Sequence, residues 1–383
     1  MDAQVSMTPT PRRIEHFATV ALFAALILVP GLGLVLGIDR VSVSESEMRE
    51  LASFPVWSWK PSALTTWPDA FQRYFEDHFA LRNRLISIRA SLLWHVLGTS
   101  SSETVIAGRN DWLYYADDGG IDDYLQTERF TMAELDDWRM MLERTDAWLK
   151  ARGVRYLFLI APDKQMIYPE YMPTTLRRMH PDYRADQLLA YLRAYSTVET
   201  VDVRPALIAA KPSELLYHHY DTHWNDRGAL VAYGVIASKL AQWFPAIRPL
   251  ERSDFQPSPS ATSGDRTTML GLTDARKTAL PGLVPRLGYS YQIVEPATPD
   301  PYGEDGRMVS RGRSDLPRLL VFRDSFASRL IPYLAEHFSR AVFLWQNDFE
   351  PEVIDKEHPD VVIQEFVARH LVTYRAYPDG IPH

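Results

Sequence analysis

VRYLFLIAP, residues 154–162, is a nearly continuous apolar run. Such a run indicates a strand that is covered on both faces, as in a mainly parallel sheet. Similar runs recur along the chain and alternate with segments of helical periodicity, which predicts an α/β domain with crossover connections. The other predicted strands are VETVDV (198–203), PRLLVF (317–322), AVFLW (341–345) and DVVIQEFV (360–367).

Helical segments separate these strands. Thr131 and Glu134 form a capping-box pattern ahead of an apolar stripe over 131–152, and Gly153 supplies a stop. Between about 245 and 315 the periodicity gives way to Pro, Ser, Thr, Gly and charge, which indicates a functional lid or an insertion. Further helices are predicted around Leu188, Leu189 and Leu192, and after a cap at Asn225 or Asp226.

Composition excludes several classes of function. The 383 residues are 46% hydrophobic and 12% aromatic, which is ample for a folded core. The net charge of −8 argues against a nucleic-acid partner, because phosphate recognition normally shows as a basic surplus. The absence of cysteine excludes disulfides, thiolate nucleophiles and zinc-thiolate sites.

The N-terminal region predicts a membrane anchor. Residues 17–38 form a run of 22 residues without a charge, which is long enough to span a hydrocarbon core. Arg12 and Arg13 precede this run, so residues 1–16 are expected in the cytoplasm and the rest of the chain in the periplasm or outside the cell. A cleaved signal peptide is the alternative, but the run exceeds a usual h-region and no small-x-small site closes it.

The predicted organisation after the anchor has three parts. Residues 39–100 form a linker with an amphipathic helix over 66–97. Residues 101–375 form the α/β domain, including the irregular segment of about 245–315, and residues 376–383 form a C-terminal tail.

The stretch YHHYDTHWNDRGAL, residues 217–230, contains the first candidate site. It precedes a predicted helix and is expected to lie on a strand-to-helix loop. Residues two apart in extended backbone point the same way, so Asp221 can orient the His223 ring and stabilise its imidazolium. This pair is half of a catalytic triad. A metal site that also uses His218 and His219 is the alternative.

The stretch LLVFRDSFASRL, residues 319–330, supplies a candidate nucleophile. Ser325 follows an apolar strand and opens a predicted helix that includes Phe326, Leu330 and Leu334, where unpaired N–H groups and the macrodipole favour an oxyanion. The ordinary alternative is a serine that only caps the helix. Both candidate loops are expected at the carboxyl ends of strands, where sites in open α/β sheets gather.

Seven stretches carry a resemblance to a known family: ELASFP (50–55), FQRYFEDHFALRNRLI (71–86), VIAGRNDWLYYADDG (105–119), APDKQMIYPEYMP (161–173), YDTHWNDRGA (220–229), FRDSFASRLIPYLAEHF (322–338) and PDVVIQEFVARHL (359–371). Together they resemble the SGNH-hydrolase-like domain of the alginate O-acetyltransferase family, the AlgJ/AlgX type. The resemblance implies a three-layer sandwich and a triad of Ser325, His223 and Asp221. It also implies a polysaccharide substrate and a multi-pass membrane-bound O-acyltransferase as the acetyl supplier. No cofactor or metal ion is expected.

The chain departs from that family at one position near the nucleophile. Arg323 stands where the family usually has glycine before Asp-Ser, so its side chain either alters the approach to Ser325 or points away. Only the Ser325 N–H is identified as an oxyanion donor. Lys164 is expected to be a solvated residue that caps a loop, and Trp112, Tyr114 and Tyr115 are expected to form a packed turn rather than a sugar-stacking surface.

Three functions fit these observations. The first is a membrane-anchored acetyltransferase that acts on an exported polysaccharide. The second is an acetyl-esterase that uses the same three residues with water. The third is a catalytically silent polysaccharide-binding component of a secretion complex, in which Arg323 marks loss of activity.

Overall fold

The computed structural model describes residues 11–38, 43–44, 49–60, 63–97, 99–258, 262–263, 277–278, 280–296 and 306–377. The chain divides into two compact units, Met1–Leu97 and Gly98–His383. Four predicted segments lie partly outside the described residues: 1–10 of the N-terminus, 39–42, 45–48, 61–62 and 98 of the linker, 259–261, 264–276, 279 and 297–305 of the insertion, and 378–383 of the tail.

The first unit begins with one long apolar helix, α1 (Pro11–Leu36). Its segment Ile14–Leu36 is long and apolar enough to cross a membrane, and it is the one helix of the described ranges that meets both conditions. Most side chains of this segment are exposed, so α1 is not the core helix of its unit. Membrane anchors and signal sequences share these properties.

The prediction of one amphipathic helix over 66–97 is wrong. Two helices occupy this segment, α2 (Ala63–His78) and α3 (Arg82–Leu97). Leu81 lies between them with a φ of 69°, in the left-handed region where an α-helix of L-residues cannot continue. A short antiparallel pair, β1 (Val43–Ser44) with β2 (Arg49–Glu50), completes the described part of this unit.

The second unit contains the predicted α/β domain. Its helices are α4 (Gly120–Leu125), α5 (Met132–Lys150), α6 (Lys164–Ile167), α7 (Arg184–Tyr195), α8 (Arg204–Ala210), α9 (Asp226–Trp243), α10 (Ile331–Leu334), α11 (Pro351–Glu357) and α12 (His370–Thr373). Its strands are β3 (Val105–Ala107), β4 (Leu113–Tyr115), β5 (Arg155–Ala161), β6 (Thr200–Asp202), β7 (Phe255–Ser258), β8 (Thr262–Ser263), β9 (Lys277–Thr278), β10 (Gly282–Pro285), β11 (Gln292–Glu295), β12 (Met308–Arg311), β13 (Arg318–Arg323), β14 (Arg340–Trp345) and β15 (Val361–Val367).

A seven-stranded sheet forms the centre of this unit, in the order β11-β12-β14-β13-β15-β5-β6. Neighbours from β14 to β6 are parallel, whereas β11–β12 and β12–β14 are antiparallel. All the strands predicted from apolar runs are present in it. The mainly parallel sheet predicted from the sequence is therefore confirmed.

Helices cover both faces of the sheet. Leu157 and Leu159 of β5 join a hydrophobic cluster with α8, α9 and α10. Tyr156 and Phe158, which alternate with them, join a second cluster with α5 and α7. The Thr131–Glu134 capping box is present at the start of α5. The architecture is a three-layer α/β/α sandwich.

The described parts of the predicted irregular segment contain regular structure. β7 and β10 form an antiparallel pair, and β11 and β12 extend the central sheet at one edge. The N–H of Leu283 donates to Asp226 Oδ2 at 2.8 Å, which fixes the β7–β10 pair to the beginning of α9. Periodicity does not reveal these strands, because each is only four residues long.

Candidate active site

Asp221 and His223 form a closed hydrogen-bonded unit. Asp221 Oδ1 accepts the backbone N–H of His223 at 2.9 Å and lies 2.7 Å from His223 Nδ1. A carboxylate only accepts, so the proton belongs to Nδ1 and Nε2 is the basic nitrogen. Burial opposes the charge on Asp221, but the His223 ring and its hydrogen bonds outweigh burial and hold the pKa of this carboxyl well below its usual range. Asp221 therefore fixes the tautomer and orientation of the ring.

The prediction that this pair follows a strand is wrong. The preceding element is α8, which begins two residues after β6 and has Pro205 in its first turn, where proline is compatible with a helix. The chain then turns back, and Tyr217 and Trp224 form an isolated antiparallel bridge. His223 reaches Asp221 through a tight Asx-type turn rather than through extended backbone.

Lys164 holds this loop from inside. Its ammonium donates to the carbonyls of His218, His219 and Asp221 at 3.0, 3.1 and 2.7 Å. The side chain is 1% exposed, so the prediction of a solvated lysine is wrong, although the residue does cap a loop. Three carbonyls of one loop converge on a single cation, which makes Lys164 a positioning residue for the Asp221–His223 unit.

Ser325 lies two residues beyond β13, directly before a 3₁₀ helix, Phe326–Arg329. The prediction of one continuous helix through Leu334 is wrong, because this 3₁₀ turn is followed by the separate short helix α10, with Pro332 in its first turn. A 3₁₀ helix of four residues aligns few peptide dipoles. The macrodipole therefore contributes less to oxyanion stabilisation than the sequence predicts.

The Ser325 hydroxyl does not cap this helix. Asp324 takes that role, since its Oδ1 accepts the N–H of Phe326 at 2.9 Å and its Oδ2 accepts the N–H of Val367 at 2.6 Å. In the described part of the chain no group hydrogen-bonds to the half-buried Ser325 hydroxyl. The Phe326 N–H is already engaged, so the Ser325 N–H remains the candidate oxyanion donor.

The two candidate loops meet at Phe326, the neighbour of Ser325. The Phe326 ring lies 5.0 Å from the His223 ring, measured between centroids. Trp224, the neighbour of His223, donates its indole N–H to the Phe326 carbonyl at 3.0 Å. The residue that follows each candidate catalytic residue therefore contacts the opposite loop, which brings the Ser325 and His223 segments together.

Arg323 points into the protein. It is fully buried; Nη1 donates to the Asp324 carbonyl at 3.2 Å and to Ser328 Oγ at 2.9 Å, and the guanidinium lies 4.6 Å from the centre of the Trp345 ring. Both hydrogen bonds end on the segment that surrounds Ser325. Of the two predicted orientations, the structure has the one that points away, because the guanidinium is buried against Ser328 and Trp345.

Glu365 is a residue that sequence reasoning missed. It is fully buried on β15, and its Oε2 accepts the N–H of Asp324 at 3.0 Å. Burial first, and the nearby Asp324 second, raise the pKa of Glu365 well above its usual value, which favours the uncharged carboxyl. Its position inside the apolar run DVVIQEFV was the available signal, because an acid there has to be buried.

We expect Glu365→Gln to remove a pH dependence of stability. A carboxyl whose pKa is raised in the folded state stabilises the folded protein fully at pH values below its unfolded pKa of about 4.3. This stabilisation is lost as the pH rises towards the folded pKa. The wild-type melting temperature should therefore fall from pH 5 to pH 8 more than that of Glu365→Gln, because glutamine keeps the bond from Asp324 without titrating. Thermal melts across this range measure the difference.

Glu357 is the matched control for Glu365. It is also buried, but Arg340 and Arg307 contact it at 2.7 and 2.9 Å and, against the effect of burial, lower its pKa to about 2. Its contribution is present at neutral pH and lost in acid, so Glu357→Gln should lower the melting temperature at pH 7. If Glu365→Gln also lowered the melting temperature at pH 7, this result would contradict the raised pKa of Glu365.

The end of β15 adds a third segment to the site. Arg369 donates to Asp163 from its backbone N–H at 2.8 Å and from Nη1 at 2.7 Å, and its guanidinium lies 5.6 Å from the centre of the Phe326 ring. His370 Nε2 lies 2.8 Å from Asp118. His370 Nδ1 also lies 3.6 Å from Asp324 Oδ2, so contacts between charged and ionisable groups join the ends of β5, β13 and β15.

The other singled-out residues have structural positions. Within the described ranges no group of three or more His, Cys, Asp or Glu side chains is placed to bind a metal ion. His218 is buried, and burial lowers its pKa to about 4. Trp112 and Tyr114 are 2% and 0% exposed, which agrees with a packed turn.

Comparison with known proteins identifies relatives of this fold. A family model described as the SGNH hydrolase-like domain of acetyltransferase AlgX matches residues 105–300, slightly more than half of the chain. The matched range contains Asp221 and His223 and ends before Ser325. SGNH-type O-acetyltransferases are thus the family to which the match points.

Two relatives are described as probable alginate O-acetylase AlgJ. The one from Azotobacter vinelandii is 23% identical over 174 residues, which cover 45% of this chain and 42% of the relative. The one from Pseudomonas aeruginosa is 23% identical over 227 residues, which cover 58% of this chain and 51% of the relative. The chain spans about half the length of these curated relatives.

Among solved structures, Bacillus cereus PatB1 with a sulfonyl adduct has a TM-score of 0.54 to this chain. The two sequences are 16% identical, and the match covers 71% of this chain and 96% of the PatB1 chain. At this identity the likeness shows a shared fold.

Proposed function

Because this chain belongs to the family of SGNH hydrolase-like O-acetyltransferases that the AlgX model describes, we propose that it transfers acetyl groups to hydroxyls of an exported polysaccharide. The proposed catalytic residues are Ser325, His223 and Asp221. The observation that carries this assignment is the meeting of the Asp221–His223 unit with Phe326, which follows Ser325 directly. The alginate acetylase relatives support a polysaccharide acceptor.

The first half-reaction forms an acetyl-enzyme. His223 Nε2 takes the proton of the Ser325 hydroxyl while Oγ attacks the carbonyl carbon of an acetyl ester donor. The tetrahedral oxyanion is stabilised by the Ser325 N–H. The intermediate then collapses, the bond to the donor oxygen breaks, and His223 returns its proton to that oxygen. Asp221 stabilises the imidazolium in this interval.

The second half-reaction transfers the acetyl group to sugar. An acceptor hydroxyl gives its proton to His223 and attacks the acetyl carbon, and the bond to Ser325 Oγ breaks as Oγ takes the proton back. The same site acts as an esterase when water replaces the sugar hydroxyl. Exclusion of water from the acetyl-enzyme therefore distinguishes a transferase from an esterase.

The apolar helix α1 supports a tether to the cytoplasmic membrane. We propose that α1 is an uncleaved anchor, with the N-terminus in the cytoplasm and the catalytic domain outside, because Arg12 and Arg13 precede it. Acetyl-coenzyme A is a cytoplasmic donor, and one helix cannot carry acetyl groups across a bilayer. A multi-pass membrane-bound O-acyltransferase is the proposed supplier, and the tether raises its effective concentration at the site.

The decisive experiment gives the full-length protein in detergent a surrogate acetyl ester and an oligosaccharide acceptor. We expect mass spectrometry to detect acetylated sugar, and deletion of the gene to lower polymer acetylation in cells. Alkaline phosphatase fused after residue 383 should be active in the same cells. If the protein in detergent released only acetate, and if deletion of the gene raised acetylation of the polymer in cells, the protein would be an esterase instead. An inactive fusion would overturn the proposed orientation.

A further inference from the structure

A cleft of about 450 Å³ opens beside the loop that carries Asp221 and His223. Its volume lies within the range of roughly 300–1,000 Å³ found for small-molecule sites. Its aromatic lining residues are Trp112, Tyr168, Tyr171 and His219, and residues 211–215 also line it. The cleft has no role in the two half-reactions described above.

The aromatic side of the cleft is rigid. The Tyr171 ring lies parallel to the Trp112 indole, with an interplanar angle of 8° and 4.6 Å between centroids. The His219 ring lies 4.5 Å from the same indole. Trp112 is 2% exposed, whereas Tyr171 and His219 are half-buried, so these two rings form the accessible part of the stack. Flat aromatic faces of this kind contact the C–H faces of sugar rings.

The charged groups of the cleft are already neutralised. Lys211 pairs with Glu170 at 2.7 Å and also donates to the Ile167 carbonyl at 2.7 Å. Glu214 pairs with Arg227 at 3.1 Å. The charged lining side chains are Glu170, Glu214 and Lys211, two negative and one positive. Burial lowers the pKa of His219, which adds no positive charge at pH 7. Because each charged lining side chain is already paired, no unpaired cation among the described lining residues is available to a uronate carboxylate, whereas a neutral ring needs no such partner.

The cleft is joined to the catalytic loop through one cation. Lys164 Nζ donates to the carbonyls of His219, in the cleft wall, and Asp221, in the candidate triad. The His219 carbonyl also accepts the N–H of Leu113, which adjoins Trp112, at 2.9 Å. The cleft wall at His219 and the Asp221–His223 unit therefore belong to one loop that Lys164 holds.

We propose that this cleft is an acceptor subsite, which binds an uncharged sugar ring next to the ring that receives the acetyl group. This inference rests on the proposed acetyltransferase function. It adds a substrate class that differs from the polyuronate named for the alginate acetylase relatives.

The test uses full-length protein in detergent and the variant Tyr171→Leu, which keeps an apolar side chain but removes the flat ring. Tyr195→Ala, which removes an exposed tyrosine outside the cleft, is the control. We expect Tyr171→Leu to raise the KM for a neutral oligosaccharide roughly tenfold or more and to change kcat much less. Tyr195→Ala should change neither quantity.

Acceptors that differ in charge test the preference for a neutral ring. Wild-type kcat/KM should be higher for neutral oligosaccharides than for uronate oligomers of equal length, and Glu170→Gln should narrow this difference because it leaves Lys211 without its carboxylate. A preference of the wild type for uronates, or an unchanged acceptor KM in Tyr171→Leu, overturns the subsite.

Direct binding separates the subsite from the chemistry. Isothermal titration of the neutral oligosaccharide should show binding to wild type and at least tenfold weaker binding to Tyr171→Leu, whether or not the ester is cleaved. If the ester is not cleaved but the oligosaccharide binds in this pattern, the proposed triad is refuted and the proposed subsite stands. If the ester is cleaved but the oligosaccharide binds both proteins equally, the proposed subsite is refuted and the proposed triad stands.

Discussion

Ser325→Ala should lower acetyl transfer by roughly 10³- to 10⁶-fold while the domain stays folded. Without Oγ there is no atom to carry the acetyl group, so both half-reactions stop. The fold should survive, because no described residue hydrogen-bonds to this hydroxyl and Asp324, rather than Ser325, caps the following helix. Turnover of a surrogate ester, mass spectrometry of the acceptor and a thermal melt measure the three effects.

Ser238→Ala is the matched control for Ser325→Ala. Ser238 is exposed on α9 and donates only to Gly234 of its own helix, at 2.7 Å, so its loss should leave activity unchanged. His223→Ala and Asp221→Asn should each remove most activity, and combining either with Ser325→Ala should add little, because the three residues act as a unit. Full activity in Ser325→Ala, or loss with EDTA that zinc restores, would refute the triad.

Lys164→Met should both destabilise the domain and disable the site. Methionine has a similar length but no donor, so the buried carbonyls of His218 and Asp221 lose their partner, whereas the His219 carbonyl keeps the Leu113 N–H. At about 1–3 kcal/mol for each buried acceptor left unpaired, we expect a loss of roughly 2 kcal/mol or more in the free energy of unfolding. The Asp221–His223 unit is held by the same loop, so kcat should fall by about 10²-fold even below the melting temperature.

Lys239→Met tests whether any lysine would have this effect. Lys239 pairs with Glu199 at 2.6 Å near the surface, and such pairs contribute about 0–1 kcal/mol. Denaturant titration and kcat for both variants give the comparison. A Lys164→Met protein with wild-type kcat would show that the loop keeps its geometry without the cation.

The sheet was predictable because its strands carry their own signal. A strand buried on both faces is apolar at most positions, so runs such as 154–162 and 360–367 are visible without any knowledge of their neighbours. The caps at Thr131 and Asn225 were predictable for a related reason, since each satisfies backbone groups only two or three residues away. These strands and caps depend on residues that are close together in the sequence, so the sequence alone is enough to predict them.

The surroundings of the site were not predictable in the same way. Lys164 contacts carbonyls more than fifty residues away, and no spacing rule distinguishes it from a surface lysine. Arg323 is compatible with a catalytic turn only because the interior offers Ser328 and Trp345 to its guanidinium. The break at Leu81 depends on one backbone angle that the apolar stripe on either side does not record.

The position of β15 in the sheet has a consequence for how the chain is made. β15 lies between β13 and β5, with Val361 opposite Arg155, so the two halves of the sheet are joined by a strand from the end of the sequence. Synthesis proceeds from the N-terminus, and contacts this distant in sequence form late. A growing chain therefore cannot close its sheet before β15 emerges. This delay suits the proposed export of the polypeptide across a membrane in the unfolded state, and it would keep the proposed nucleophile, Ser325, inactive until β15 has emerged.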